Sequence, residues 1–201
     1  HNAIDTNIYR FDEAGREKIR EELGLEDKFV VGHVGRFNQQ KNHEFLIDVF
    51  HEVWKSNPES RLVLVGKGEL EEAVRKKVHT LDLDDYVIFT GVRKDIPQLM
   101  SAFDVFLFPS LYEGMPNTVI EAQATGLPCV ISDTITQQAR ITDLIRFCSL
   151  QSSVLTWADA CLKVTSVDRA KYRNTLIEAG YDISDVVPQF VKWTFGCNTE
   201  N

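Results

Sequence analysis

The sequence predicts an α/β protein built on a Rossmann-like, doubly wound parallel sheet. Three observations predict it. Five continuous apolar runs of four to six residues are spaced along the chain, and each but the last leads into a segment of helical pattern. The 201 residues are 43% hydrophobic and 26% charged, the balance of a soluble globular domain with apolar side chains enough for a sizeable core. Uninterrupted apolar runs belong to strands buried on both faces, and their alternation with helices makes βαβ units with right-handed crossovers.

The elements follow in order. The chain opens on HNAIDTNIYRF, an extended Asn/Asp-rich stretch with no initiator Met, which suggests a domain cut from a longer protein. DEAGREKIREELGL has early acidic residues, apolar Ile19 and Leu23, and Gly24 as a C-cap, so it predicts a short surface helix. FVVGHVGRF is a β-rich run, followed by NHEFLIDVFHEVWKSNP with a helical stripe through Phe45, Leu46, Val49, Phe50, Val53 and Trp54, stopped by Pro58. RLVLVG then leads into ELEEAVRKKVHTLD, YVIFTG into DIPQLMSAF, and VFLFPS into PNTVIEAQATG, before PCVIS closes the regular part. Beyond Ser132, FCSL predicts one more strand, SVLTWADACLKV and VDRAKYRNTLIEAGY two amphipathic helices, and the last twenty residues a helix interrupted around Pro188. No repeat or linker divides the chain, so a single domain over 1–201 is expected, with a core to about 164 and a helical segment over 165–201.

Composition excludes several functions. A formal charge of −8 and pI near 5.1 argue against nucleic acid as a partner. Cys129, Cys148, Cys161 and Cys197 form no CxxC or zinc-type spacing, which fits a reduced, cytoplasmic location. His33 reads as a buried strand residue and His43, His51 and His79 as helix residues, without metal-ligand spacing, so no metal is expected. Trp54, Trp157 and Trp193 read as core or interface anchors.

A doubly wound sheet binds its ligand beyond the carboxyl ends of its strands. Four loops lie there. In GRFNQQKN, Gly35 permits close backbone approach, and Arg36 and Lys41 can converge beside a helix N-terminus as a diphosphate site; two solvated surface cations are the alternative. VGKGELEE lacks the full GxGxxG pattern, and Gly66 and Gly68 read as a tight turn. In FTGVRKDIP, the backbone of Thr90, Gly91, Val92 and Arg93 stands at the mouth of the site, where it could read the edge of a base. In PSLYEGMPNTVIEAQATG, Gly114 allows a sharp turn, Pro116 and Asn117 suit the first turn of a helix, and the amides around Met115 to Thr118 point outward. Glu113 lies just ahead of those amides and Glu121 about one turn inside the helix. The pair suits vicinal hydroxyls at both ends of a diphosphate; a helix-dipole contact and a solvated helix residue are the alternatives.

GRFNQQKN, RLVLVGKGELEE, VIFTGVRKDIP and AFDVFLFPSLYEGMPNTVIEAQATGLPCVISD, in this order and at these distances, resemble the C-terminal half of retaining GT-B glycosyltransferases of family four, most closely the bacterial branch that assembles capsular and exopolysaccharides. The resemblance covers about residues 2–164. It implies that Arg36 and Lys41 hold the diphosphate of a nucleotide sugar and that Glu113 begins an E-x7-E element contacting the transferred sugar. It implies also that the amides of Gly114 to Asn117 bind sugar and phosphate oxygens, that Glu121 holds the ribose, and that the base sits near Thr90 to Arg93. No metal or other cofactor is implied, since cations and helix dipole stabilise the leaving diphosphate. The implied partners are a nucleotide-diphosphate sugar, most often UDP-linked, an N-terminal half carrying a glycan or lipid-linked acceptor, and with it the inner face of the cell membrane. The sequence departs from the pattern at SDTITQQAR, where Gln137 and Gln138 replace a Gly-Gly pair and no later Glu follows, and at Asn42, where a Gly often follows the Lys. A non-catalytic nucleotide-binding module of the same fold is the competing reading; a dinucleotide oxidoreductase is disfavoured by the missing GxGxxG after the first strand.

Overall fold

The computed structural model describes residues 2–165, 167–184 and 186. Six parallel strands form one sheet: β1 (Phe29–Val34), β2 (Ser60–Val65), β3 (Val87–Gly91), β4 (Val105–Phe108), β5 (Cys129–Ser132) and β6 (Ile145–Cys148). Their spatial order, β3-β2-β1-β4-β5-β6, reverses between β1 and β4. At such a reversal the loops that follow the two central strands diverge to opposite faces and leave a crevice between them.

Strand side chains alternate between two helical layers. Val31, Leu62, Leu64, Val105 and Leu107 meet α2 (His43–Ser56), α3 (Glu71–Thr80) and α6 (Val154–Leu162). Val30, Val63, Phe106, Phe108 and Ile131 meet α1 (Glu13–Leu23), α4 (Ile96–Ala102) and α5 (Asn117–Ala124). The central strands are buried on both sides, which is why they read as unbroken apolar runs, and each fully buried Leu or Phe contributes roughly 2 kcal/mol of transfer free energy. α1 begins at Asp12, whose side chain accepts from the Gly15 amide, and ends at Gly24 in the left-handed region.

The end of the chain differs from expectation in two places. The sixth strand spans Ile145–Cys148, two residues earlier than FCSL suggests, because Ser149 to Ser152 turn back toward α6 and the Ser149 carbonyl accepts from Trp157 Nε1. The helix expected from Val167 starts only as α7 (Tyr172–Glu178), after a 3-10 turn at Arg169–Lys171 that Asp168 caps. The helix expected around Pro188, with Trp193 and Cys197, lies outside the described residues. The opening stretch is held rather than loose: Ile4 bridges to Asp182, and Asp182 accepts from both the amide and the hydroxyl of Thr6.

Candidate functional site

The loops after β1 and β4 meet over the reversal point. After β1, Asn38 accepts the Lys41 amide to close a 3-10 turn (Gln39–Lys41), and Asn42 ends it at φ 55°. That conformation suits Gly or Asn, which explains why the Asn42 departure is harmless to the backbone. Gln40 ties this turn to the loop after β4, accepting from the Leu111 amide and donating to the Tyr112 carbonyl. Lys41 is thereby aimed across the crevice: its Nζ lies 2.5 Å from Glu113 Oε1 and 4.6 Å from the centroid of the Phe108 ring. Both side chains are largely buried, at 17% and 11% exposure. Lys41 and Glu113 are brought together as one pair. Arg36 does not join them; its side chain is 70% exposed and paired with Glu69 at 3.1 Å, so the expected convergence of the two cations is not the resting arrangement.

The second and third loops form a shallow recess of about 580 Å³, lined by Gly35, Gly66, Lys67, Gly68 and Val92 among others. Gly66 sits at φ 138°, and a Cβ there would stand 2.0 Å from the Gly35 carbonyl oxygen, so the turn expected for VGKG exists to let the first loop lie against the second. Three of the residues expected to meet a base have polar groups already engaged. The Thr90 hydroxyl donates within its own strand region, the Gly91 carbonyl accepts from the Gly66 amide, and the Arg93 guanidinium is clamped between Glu22 and Asp95, with hydrogen bonds to both carboxylates that raise its pKa. Val92 is exposed. The expectation for this loop therefore narrows to backbone, and the Arg93 side chain fastens α1 to the start of α4.

At the fourth loop, Pro116 is the N-cap residue of α5 rather than part of its first turn, and it is buried with no N–H to offer. Its carbonyl accepts from Val119 and Ile120, leaving the Asn117 and Thr118 amides without an intramolecular partner among the described residues. Gly114 does not need its glycine for the turn: it has no positive φ, and a Cβ would meet nothing within 4 Å, so its lack of a side chain leaves the approach to those amides open. Asn2 braces the helix start, its Nδ2 donating to the Met115 carbonyl and to Asn117 Oδ1. One turn on, Glu121 is not a solvated helix residue. Burial raises its pKa, and a hydrogen bond from the Tyr9 phenol opposes that rise.

Beneath the first loop, His33 is fully buried and donates through Nδ1 to the Leu107 carbonyl at 2.9 Å. Its Nε2 and both ring nitrogens of His43 have no hydrogen-bond partner among the described residues. The His43 ring stacks on Phe37, with centroids 4.2 Å apart, and meets His33 edge-on. Burial drives both below the usual imidazole range, His43 to about 4, with the charge of Lys41 adding to the effect. A second recess, of about 540 Å³, lies at the opposite end of the sheet beside Arg16, Asp104 and Arg169. Arg169 donates to the carbonyls of Met100, Ser101, Phe103 and Thr125, which makes it a structural lock rather than a ligand group.

The model of the family described as "Glycosyl transferases group 1" matches residues 28–166, more than half the chain. The chain belongs to that family. This glycosyltransferase domain is 34% identical over 186 residues to a "Putative glycosyltransferase EpsF" of Bacillus subtilis, covering 90% of the chain and 48% of that protein. It is 41% identical over 122 residues to an Escherichia coli "UDP-Gal:alpha-D-GlcNAc-diphosphoundecaprenol alpha-1,3-galactosyltransferase", covering 59% of the chain and 31% of the relative. Among solved structures, HepE of Anabaena in complex with UDP-glucose superposes with a TM-score of 0.82 at 25% identity, over 98% of this chain and 56% of HepE. The C-terminal domain of LpcC from Francisella tularensis matches in fold, with a TM-score of 0.72 at 20% identity, over 90% of this chain and 100% of that one. The glycosyltransferase domain thus has the fold of a C-terminal GT-B domain, and it spans about half the length of the curated relatives it matches or less.

Sequence reasoning missed Tyr9 and the long-range contacts of Asn2, Gln40 and Glu69 in this domain. Those contacts join residues 33 to 115 positions apart, which no local pattern records; the signal for Tyr9 was an aromatic residue next to Ile8 in a polar stretch. Among the described residues no helix is long and apolar enough to cross a membrane.

Proposed function

We propose that this domain binds a nucleotide-diphosphate sugar, UDP-linked, for retaining transfer of a hexosyl group to a glycan or lipid-linked acceptor in polysaccharide biosynthesis. The observation that carries the reading is the Lys41–Glu113 pair beside the unpartnered amides of α5. When a diphosphate arrives, Lys41 transfers its hydrogen bond from Glu113 to a phosphate oxygen, and Arg36 leaves Glu69 to join it. Glu113 is then free to accept from hydroxyls of the sugar. The α5 amides face oxygens of the diphosphate or sugar, where the helix dipole favours negative charge. Glu121 accepts from the ribose, and the recess beside Val92 takes the base.

In this reading two cations and a helix terminus stabilise charge as it develops on the departing diphosphate, and no metal is required. The acceptor attacks from the side the diphosphate leaves, with a phosphate oxygen taking its proton, so configuration is retained. The HepE complex with UDP-glucose, at 25% identity, supports the donor class. The acceptor and the other wall of the crevice belong to an N-terminal half. The reaction is placed in the cytoplasm, at the inner membrane face when the acceptor is lipid-linked.

Calorimetric titration with UDP, ADP, GDP and UDP-glucose, in EDTA and in magnesium, tests the reading. Binding of UDP that is indifferent to EDTA, and weakened roughly 10- to 100-fold in Lys41→Ala and Arg36→Ala, is the expected result, the size of a lost hydrogen bond to a charged group. Undiminished binding in both variants would overturn the site assignment.

A further inference from the structure

We propose that Lys67 is a specificity-determining residue for the base of the nucleotide, its ammonium donating to a ring carbonyl oxygen and so favouring a keto pyrimidine such as uracil over an amino one such as cytosine. This rests on the reading of the recess beside Val92 as the base site.

Three cations line that recess: Arg36, Lys67 and Arg93. Two of them are engaged by carboxylates. Arg36 pairs with Glu69 at 3.1 Å, and Arg93 is held between Glu22 and Asp95 at 2.6 Å to each. The ammonium of Lys67 has no hydrogen-bond or ion-pair partner among the described residues. Val65, Val92 and Ile96 give the same recess apolar walls. An apolar cleft with one uncommitted ammonium suits a flat, neutral ring that bears a carbonyl. A phosphate is served better across the crevice, where Lys41 stands beside the free amides of α5.

The loop that carries Lys67 is fixed on both sides of it. The Gly66 amide donates to the Gly91 carbonyl at 2.9 Å, and the Lys67 carbonyl accepts from the Phe37 amide at 3.2 Å. The side chain runs over the end of β3: a Cβ on Gly91 would stand 3.4 Å from Lys67 Cε, so the stem lies against bare backbone at a glycine with φ 68°. The ammonium, one bond beyond Cε, therefore stands at the strand end to which the base is assigned. An ammonium has three donors and no acceptor. Uracil offers it O4, whereas cytosine presents an amino group at the same position, a donor facing a donor. The charge is then left without its partner, and that loss is what separates the two bases. UDP and CDP share ring size, ribose and diphosphate, so the comparison isolates this edge of the base.

The test is calorimetric titration of the chain and of Lys67→Met, Lys67→Arg and Val92→Asp with UDP, CDP and inorganic pyrophosphate. The wild type is expected to prefer UDP to CDP by roughly tenfold or more, and Lys67→Met to bring the two within about threefold by weakening UDP. Pyrophosphate binding and the melting temperature should not change in Lys67→Met, since the side chain is exposed and unpartnered. Lys67→Arg keeps donors at the site and should keep the preference. Val92→Asp places a carboxylate in the recess and should weaken UDP more than pyrophosphate. If Val92→Asp leaves UDP affinity intact, the base-site reading fails and this proposal with it. If Val92→Asp weakens UDP but Lys67→Met keeps the wild-type ratio of UDP to CDP, or weakens UDP, CDP and pyrophosphate alike, the base-site reading stands and the role of Lys67 is overturned.

Discussion

Arg36 and Lys41 carry the same charge and the same proposed task, yet their loss should affect the fold differently. Arg36 is 70% exposed in a surface pair with Glu69, so Arg36→Ala should change stability by less than about 0.5 kcal/mol. Lys41→Ala strands Glu113 at 11% exposure without its cation and should cost about 1–2 kcal/mol, both read by urea melts. The two histidines below them set a pH dependence. Unfolded, each takes up a proton near pH 6.5; folded, His43 resists to about 4, and burial holds His33 well below 6.5 too. Because these folded values lie below the unfolded one, stability is whole above about 6.5 and falls as pH drops toward 4, by up to about 1.4 kcal/mol per pH unit for each histidine. His43→Phe should lower that slope by close to one proton; an unchanged slope would assign the pH dependence to other groups. None of this was legible in the sequence beyond the burial of His33, since partnerless nitrogens arise from packing among Phe37, Leu107 and the two rings, residues far apart along the chain.

At the scale of elements, the strands β1, β2, β4 and β5 were legible because they are interior and buried on both faces. β6 is an edge strand with Arg146 exposed in the middle of it, so its apolar run is broken and its position was read two residues late. The 3-10 turn before α7 was missed for a related reason: Arg169 leaves helical periodicity to enter the molecule and satisfy four carbonyls. Burial pushes its pKa down to about 9, a measure of how little water it retains. Arg169→Ala orphans those carbonyls and should cost about 3 kcal/mol or more in denaturant melts. Gly66→Ala tests loop packing. Its Cβ cannot fit 2.0 Å from the Gly35 oxygen, so the first loop must move, and UDP affinity should fall with stability.

Across the whole molecule, the prediction of a doubly wound sheet and of the four loops at one end held because both follow from chain order and hydrophobic pattern. Pairings that cross the molecule, Ile4 with Asp182 and Asn2 with Asn117, were invisible to that pattern, and they decide how firmly α5 is held. A ligand that binds only the folded chain should protect all of it. At a UDP concentration 100 times its dissociation constant, stabilisation is about 2.7 kcal/mol, which for a chain of this length raises the melting temperature by roughly 5–10 °C. Scanning calorimetry with and without UDP would read that shift, and its absence at saturating UDP would contradict the donor-binding reading.

The resting contact between Lys41 and Glu113 also bears on selectivity among the anions of a cell. An unpaired lysine beside open amides would welcome any small oxyanion. In the proposed reading an incoming phosphate must displace a carboxylate, and it is rewarded only if the rest of the molecule engages the released Glu113, Glu121 and the recess beside Val92 together. Orthophosphate brings none of those, so abundant inorganic phosphate is expected to be a poor competitor, and vacancy of the crevice is protected by the same two side chains that would later hold the donor.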